Sequence, residues 1–151
     1  MKVIFLDIDG VLNCSTSTKR YNGCPFVDDD KLALLAELID KTGAKIVLSS
    51  TWRFGLLHPD SALASDVIAL QKEMYKFGLR IYSHTPRFPE KQRGDEIQAW
   101  LEASSNIESF VILDDDSDMA NVKDYLVQTT WESGLKKEHI ENAVAILNSV
   151  N

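Results

Sequence analysis

Apolar positions along the chain fall into two patterns. Val3 to Leu6, Lys45 to Ser49, Leu79 to Ser83 and Phe110 to Leu113 are short β-prone runs of strand length. Runs that are apolar nearly throughout, rather than alternating, mark strands covered on both faces. A weaker fifth run, Tyr125 to Thr129, is expected to complete the sheet. Between the runs, apolar residues recur at helical spacing. Leu32, Leu35 and Ile39 share one face, and Leu63, Val67, Leu70, Met74 and Phe77 form a longer stripe. Ile97, Trp100 and Leu101 predict a further helix, and Ile140, Val144 and Leu147 the last. Gly43 and Gly78 stand where the first two helices must stop and reverse. The order β-α-β-α-β-α-β-β-α predicts a mostly parallel five-stranded sheet between two helical layers, a three-layer α/β/α sandwich.

Length sets the scale of that sandwich. A chain of 151 residues forms one domain that buries roughly 68–70% of its unfolded surface, and residues 1–151 are read as that domain. With 44% hydrophobic and 26% charged residues, 7 Gly and 4 Pro, the composition excludes a disordered or collagen-like chain. No apolar run approaches the ~20 residues of a membrane-spanning helix. The opening apolar stretch ends at Asp7, short of a signal-peptide core, so a cytoplasmic location is expected. Cys14 and Cys24 match no zinc spacing and are read as reduced thiols. The two polar loops are residues 14–27 and 84–94. Asp28, Asp29 and Asp30 are expected to cap the helix that begins before Leu32.

In a parallel sheet, ligands bind beyond the carboxyl ends of the strands. There the first strand runs into Asp7-Ile8-Asp9-Gly10-Val11-Leu12-Asn13, the second into Ser49-Ser50-Thr51-Trp52-Arg53, and the fourth into Asp114-Asp115-Asp116-Ser117-Asp118. Asp7, Asp9, Asp114 and Asp115 would therefore crowd one edge. Two unit charges about 4 Å apart repel by about 4 kcal/mol at an effective dielectric of about 20, so the cluster calls for a cation or for protonation. Oxygen-only ligands favour a hard ion, and Mg²⁺ suits a site shared with waters and a substrate phosphate. The net charge of −7 argues against non-specific tracking along nucleic acid. Basic residues nevertheless gather in the loops: Arg80, Arg87, Lys91 and Arg93 lie close in sequence, and Arg53 and Lys19-Arg20 are expected at the same edge. An anionic substrate fits that distribution.

Phe-Leu-Asp-Ile-Asp-Gly-Val-Leu-Asn resembles the first motif of the haloacid dehalogenase (HAD) superfamily. Ser49 matches the second motif, Arg93-Gly94-Asp95-Glu96-Ile97 the third and Leu113-Asp114-Asp115 the fourth. More narrowly, Leu-Ser-Ser-Thr-Trp-Arg, Arg-Gly-Asp-Glu-Ile-Gln-Ala-Trp-Leu and Val-Ile-Leu-Asp-Asp-Asp-Ser-Asp-Met resemble the HAD domains of Swiss Army Knife RNA repair proteins. The resemblance implies a HAD-like Rossmannoid fold and a phosphatase in which Asp7 attacks phosphorus and becomes a transient aspartyl phosphate. Asp9 would be the general acid and base. Mg²⁺ would be held by the Asp7 carboxylate, the Asp9 carbonyl and the fourth motif, through Asp114 with Asp115 or, in the alternative spacing, with Asp118. Asp116 is expected to cap a following helix. Ser49 would bind a phosphoryl oxygen, with Ser50 and Thr51 as register-shifted alternatives. Arg93 is the third-motif base, with Lys91 as its alternative.

The chain has room for almost no cap, since only residues 14–27 and the stretch from Arg53 to Ser61 could supply one. An open site admits large substrates. The expected substrate is a phosphate monoester, with a terminal phosphate of RNA or DNA suggested by the resemblance and a nucleotide or small phosphorylated metabolite as the alternative. Ser50, Arg53, Arg87 and Lys91 are the expected substrate contacts. A non-catalytic phosphoacceptor or interaction module is the rival of another class, but D-x-D-G on the first strand favours a hydrolase.

Overall fold

The computed structural model describes residues 1–149. Its sheet contains β1 (Lys2–Leu6), β4 (Lys45–Leu48), β5 (Ile81–His84), β6 (Ser109–Asp114) and β7 (Leu126–Gln128), in the order β5-β4-β1-β6-β7. Every pairing is parallel, so the mostly parallel sheet expected from the sequence is parallel throughout.

Continuous apolar runs are needed because both faces are covered. Ile4, Leu6, Ile46, Leu48, Val111 and Leu113 point into one core, whereas Val3, Phe5, Val47 and Ile112 point into the other. The first core is covered by α1 (Asp29–Thr42), α3 (Leu63–Tyr75) and α5 (Lys137–Asn148), through Leu32, Leu35, Leu38, Val67, Leu70, Met74 and Ile140. The second is covered by α4 (Arg93–Glu102) and a 3₁₀ segment, Ala120–Tyr125, through Ile97 and Val122. That 3₁₀ segment occupies the expected direct β-β connection and takes Tyr125 out of the last strand, onto the ring of Phe110 at 4.1 Å. Leu63, at the open end of its stripe, is exposed.

Two further departures bear on the site. The loop 14–27 holds a hairpin of β2 (Arg20–Tyr21) and β3 (Cys24–Pro25). Asn22 and Gly23 form its turn, with φ of 51° and 79°, the left-handed pair that a two-residue type I′ turn requires. Asp28 occupies the N-cap position of α1 without capping it. Its carboxylate instead accepts from Ser17 Oγ at 2.6 Å and pairs with the buried Lys31 at 3.1 Å.

Successive strands step outward from β1 to β4 to β5, and the chain then returns to β6 on the other side of β1. The gap between the ends of β1 and β6 is thus the topological switch point, where open α/β sheets bind ligands. The hairpin, a short helical stretch, Thr51–Arg53 followed by α2 (Phe54–Leu57), and the loop after β5 stand near this edge. No cap domain is inserted among the described residues.

Candidate active site

The sheet ladder continues one residue past the strands and fixes the site from below. Asp7 N donates to Leu113 O at 2.9 Å, Ser49 N to Leu6 O at 2.9 Å, and Thr129 N to Asp114 O at 3.0 Å. Beyond Asp7 the chain turns helically, with the amides of Val11 and Leu12 bonded to Ile8 O and both apolar side chains fully buried. Gly10 makes this turn with φ +83°, and the Asp115 side chain fills the space that a Cβ would need. Any side chain at position 10 would thus be strained in backbone and would displace a site carboxylate.

Asp7, Asp114 and Asp115 each bring one carboxylate oxygen within 4.8 Å of the others. Burial pushes Asp7 up from the ordinary 3.8 to about 6, against the opposing charge of Arg93. Asp114 is pushed up to about 9, first by burial and then by the Asp7 charge. The pair cannot carry two negative charges cheaply without a cation. The donor set is all oxygen, which fits a hard divalent ion, and the positions that would hold it are these three residues.

Asp9 does not join them. Its carboxylate is exposed and turned to other partners: Oδ1 accepts from Asn13 Nδ2 at 2.9 Å, and Oδ2 from the Trp52 indole at 3.2 Å. The expected crowd of four carboxylates is therefore three. Asp118 also lies outside it, with its carbonyl accepting from Gly94 N at 3.1 Å at the start of α4. Asp116 caps no helix; it bonds the amide of Ser117 at 2.7 Å, and the next helical segment starts only at Ala120.

Ser49 is fully buried, and its hydroxyl has no hydrogen-bond partner among the described residues. Ser50 Oγ instead accepts from Trp52 N at 3.3 Å, and Thr51 is exposed. Arg93 opens α4 with Nη1 buried and unpartnered, and its charge acts on both Asp7 and Asp114. Gly94 allows this placement, because a Cβ there would run into the Met119 backbone of the loop that follows the fourth motif. Buried polar atoms without partners are rare in native proteins, and here two of them belong to residues expected to bind phosphate. Lys91 is exposed, 5.9 Å from the Phe88 ring centroid.

Arg53 was expected at the substrate rim and is not there. Its side chain is 2% exposed, with Nη2 2.9 Å from Glu96 Oε2 and Nη1 donating to Ser50 O at 2.7 Å. Glu96 Oε2 also accepts from Phe88 N at 2.8 Å. A buried guanidinium must be paired, and this pairing ties together the second motif, the loop after β5 and α4. Arg87 is exposed, its guanidinium 4.4 Å from the Phe54 ring centroid. Arg80 lies before β5, at the opposite edge, 5.2 Å from the Tyr75 ring centroid. Lys19 is drawn away by Asp29 at 2.7 Å and Glu73 at 3.7 Å. The basic ring expected from the sequence reduces to Arg87, Lys91, Arg93 and the exposed Arg20.

Asn13, Trp52 and Glu96 are structural members of the site to which sequence reasoning gave no role. Asn13 and Trp52 stand inside the first and second motifs but carry no charge, and Glu96 reads as an ordinary helix residue. The signal available was their fixed distance from Asp9 and Arg93.

Searches among curated proteins and among solved structures return no match. A family model described as the HAD domain in Swiss Army Knife RNA repair proteins matches residues 3–140. That span contains the sheet, the acidic trio, Ser49 and Arg93, and a HAD domain implies a phosphatase-type hydrolase. With nearly its whole length matched, the chain belongs to the family of HAD domains found in Swiss Army Knife RNA repair proteins.

Proposed function

We propose that this protein hydrolyses phosphate monoesters through an aspartyl-phosphate on Asp7, and that its substrate is a terminal phosphate of a nucleic acid. The observation that carries the reading is a pairing of opposites at one sheet edge: a largely buried carboxylate trio beside the charge of Arg93, with a buried Ser49 hydroxyl and a buried Arg93 Nη1 both unpartnered among the described residues. A phosphoryl group satisfies both sides. Its oxygens accept from Ser49 and Arg93, and its phosphorus faces Asp7.

In the first step an Asp7 oxygen attacks phosphorus in line, and the bond to the leaving oxygen breaks. Asp9 gives that oxygen its proton. In the second step Asp9, now a carboxylate, takes a proton from water as the water attacks the phosphoryl group, which returns Asp7 as a carboxylate and releases phosphate. Ser49 and Arg93 stabilise the charge that spreads over the equatorial oxygens. Mg²⁺, held by the Asp7 and Asp114 carboxylates, Asp115 and the Asp9 carbonyl, would neutralise the charge shared by enzyme and substrate.

Support for a large substrate is the uncapped edge, with Arg87 and Lys91 exposed on the loop after β5. The family description points the same way, since it names RNA repair. The test is hydrolysis of an aryl phosphate and of end-phosphorylated oligonucleotides with Mg²⁺ and with EDTA. Mg²⁺-dependent release of phosphate is expected, and full activity in the metal-free protein would overturn the reading. Higher activity on mononucleotides than on oligonucleotides would replace the nucleic-acid end with a small-molecule substrate.

A further inference from the structure

We infer that the Trp52 indole, together with Asn13, positions the Asp9 carboxylate for proton transfer, so that Trp52 controls the steps in which Asp9 gives or takes a proton. The inference rests on the phosphatase reading above and adds positioning residues to it.

An exposed carboxylate on a turn ordinarily samples several rotamers, and water satisfies it in each. Asp9 is exposed, yet both of its oxygens accept from N–H groups that have packing or hydrogen-bond partners of their own. Asn13 is fully buried. Its Oδ1 accepts from Gly10 N at 2.9 Å, which leaves Nδ2 to donate to Asp9 Oδ1 at 2.9 Å and to Pro25 O at 3.3 Å. The amide therefore has one orientation compatible with its partners. An indole N–H can only donate, and that of Trp52 meets Asp9 Oδ2 at 3.2 Å.

The indole is fixed in turn. Its backbone N is capped by Ser50 Oγ at 3.3 Å, and its ring lies 6.1 Å from that of Phe26, which lies 5.4 Å from that of Tyr21 on the hairpin. Three separate segments thus converge on one carboxylate: the first motif, the second motif and the hairpin. Proton transfer requires the acid within hydrogen-bond reach of the reacting oxygen. A misplacement of about 1 Å can cost a hundredfold, so a clamp of this kind acts on rate without touching the substrate.

The distinguishing experiment varies the leaving group. Trp52→Phe keeps an aromatic ring beside Phe26 and removes the donor. Single-turnover formation of the phosphoenzyme, followed by intact-mass spectrometry, isolates the step in which Asp9 acts as an acid. With an activated aryl phosphate, whose leaving oxygen needs little protonation, the variant should stay within about threefold of wild type; with an alkyl phosphate it should slow about tenfold, as part of the 10²–10⁴ that general acid catalysis supplies. In an Asp9→Asn background, Trp52→Phe should add nothing, because coupled residues are not additive.

A second measurement needs no Trp52 variant. In ¹⁵N-labelled full-length protein, Asp9→Asn should shift the Nε1–H resonance of Trp52 and leave those of Trp100 and Trp131 in place. Equal slowing with both leaving groups, additivity in the Asp9→Asn background, or an unmoved Trp52 resonance would overturn the inference and leave the phosphatase reading standing. A wild-type protein that forms no phosphoenzyme from either ester would overturn the phosphatase reading and the catalytic role of the clamp together.

Discussion

The two edges of the sheet differ in a way that separates a space from a site. At the amino edge, a cavity of about 440 Å³ is lined by Leu101, Ser104, Phe110, Tyr125 and Ile146, among others. Its polar groups are satisfied: Ser104 Oγ donates to Trp100 O at 2.7 Å, and Ser109 Oγ to Leu147 O at 2.6 Å. At the carboxyl edge the arrangement is reversed. Ser49 Oγ, Arg53 Nε, Thr85 Oγ1 and Arg93 Nη1 are the buried side-chain atoms left without partners among the described residues, and all four follow the sheet strands or open α4 at this edge. The two most strongly raised carboxylates, Asp7 and Asp114, are there too. Burying polar groups unpaired costs free energy; a phosphoryl group would complete Ser49 Oγ and Arg93 Nη1, whereas Arg53 Nε belongs to a guanidinium that Ser50 O and Glu96 already hold. Volume alone carries no such information.

The sharpest way to break this comparison is to substitute once at each edge. Asp7→Asn keeps the shape but removes the proposed nucleophile and should lower turnover by at least about 10³-fold. Ser104→Arg, which puts bulk and charge into the amino-edge cavity, should leave turnover within about twofold. Steady-state hydrolysis of an aryl phosphate reads both, with circular dichroism to confirm that each variant folds. Comparable losses from the two substitutions would mean that the edges are not functionally distinct.

Within the carboxyl edge, Arg53 and Glu96 serve as scaffold, and removing one of them should be felt as stability. Arg53→Ala removes the closest charge partner of the buried Glu96, leaving it the Phe88 amide at 2.8 Å and the more distant Arg93 Nε at 3.9 Å. Breaking a buried pair in this way costs about 3–5 kcal/mol, measurable as a lowered midpoint in urea. Substituting both, Arg53→Met with Glu96→Leu, should recover much of the loss, because no charge is then left buried alone. A single substitution that is neutral in stability but abolishes turnover would return Arg53 to the substrate rim.

The carboxylate pair makes a prediction about pH with a definite sign. Burial pushes Asp7 and Asp114 up from the ordinary 3.8, to about 6 and about 9, with the Asp7 charge adding to the rise at Asp114. The native state therefore holds protons that the unfolded chain releases first, and the stability they contribute is complete below about 3.8 and is lost as pH rises through about 6 and then about 9. In EDTA the melting temperature should fall from pH 5 to pH 9. Asp114→Asn should flatten the slope, and Mg²⁺ should reverse it in the wild type. A melting temperature that rises with pH in EDTA, equally in wild type and Asp114→Asn, would mean that the trio is not strained by its own charge.

How far the sequence foretells these features depends on how locally each is determined. The strands were readable because burial on two faces demands apolar residues at consecutive positions, as Val3 to Leu6 show. The trio was readable for a topological reason: a parallel sheet brings all its carboxyl ends to one edge, so Asp7 and Asp114 must be neighbours once their strands are. Arg53 was not readable, because its burial depends on Glu96, 43 residues away, and nothing local distinguishes it from a rim arginine. Arg80 was misplaced because nearness in sequence to Arg87, Lys91 and Arg93 does not carry across a strand: β5, Ile81–His84, runs between them and sets Arg80 at the opposite edge. The hairpin had a signal in Asn22-Gly23, but strands of two residues show no hydrophobic alternation to go with it. Asn13 and Trp52 act through direction, and direction is not written in residue type.

The smallest expected effect concerns the rim, where the carboxyl edge meets solvent. Arg87 is exposed and held by stacking over Phe54 at 4.4 Å, a contact that orders the guanidinium while leaving its charge in water. Without a cap, selectivity must come from contacts along the substrate, and a short end-phosphorylated oligonucleotide offers backbone phosphates that an aryl phosphate lacks. Each phosphate neutralised by a basic side chain releases counterions and steepens the salt dependence of binding. Arg87→Ala should therefore lower kcat/KM for the oligonucleotide severalfold and make its salt dependence shallower, with aryl phosphate hydrolysis changed less than twofold. Because Arg87 is far less constrained than the Arg53–Glu96 pair, its loss should leave the urea midpoint in place. Equal losses on both substrates would draw Arg87 inward to the phosphoryl group itself, and unchanged oligonucleotide kinetics would take it out of the binding surface.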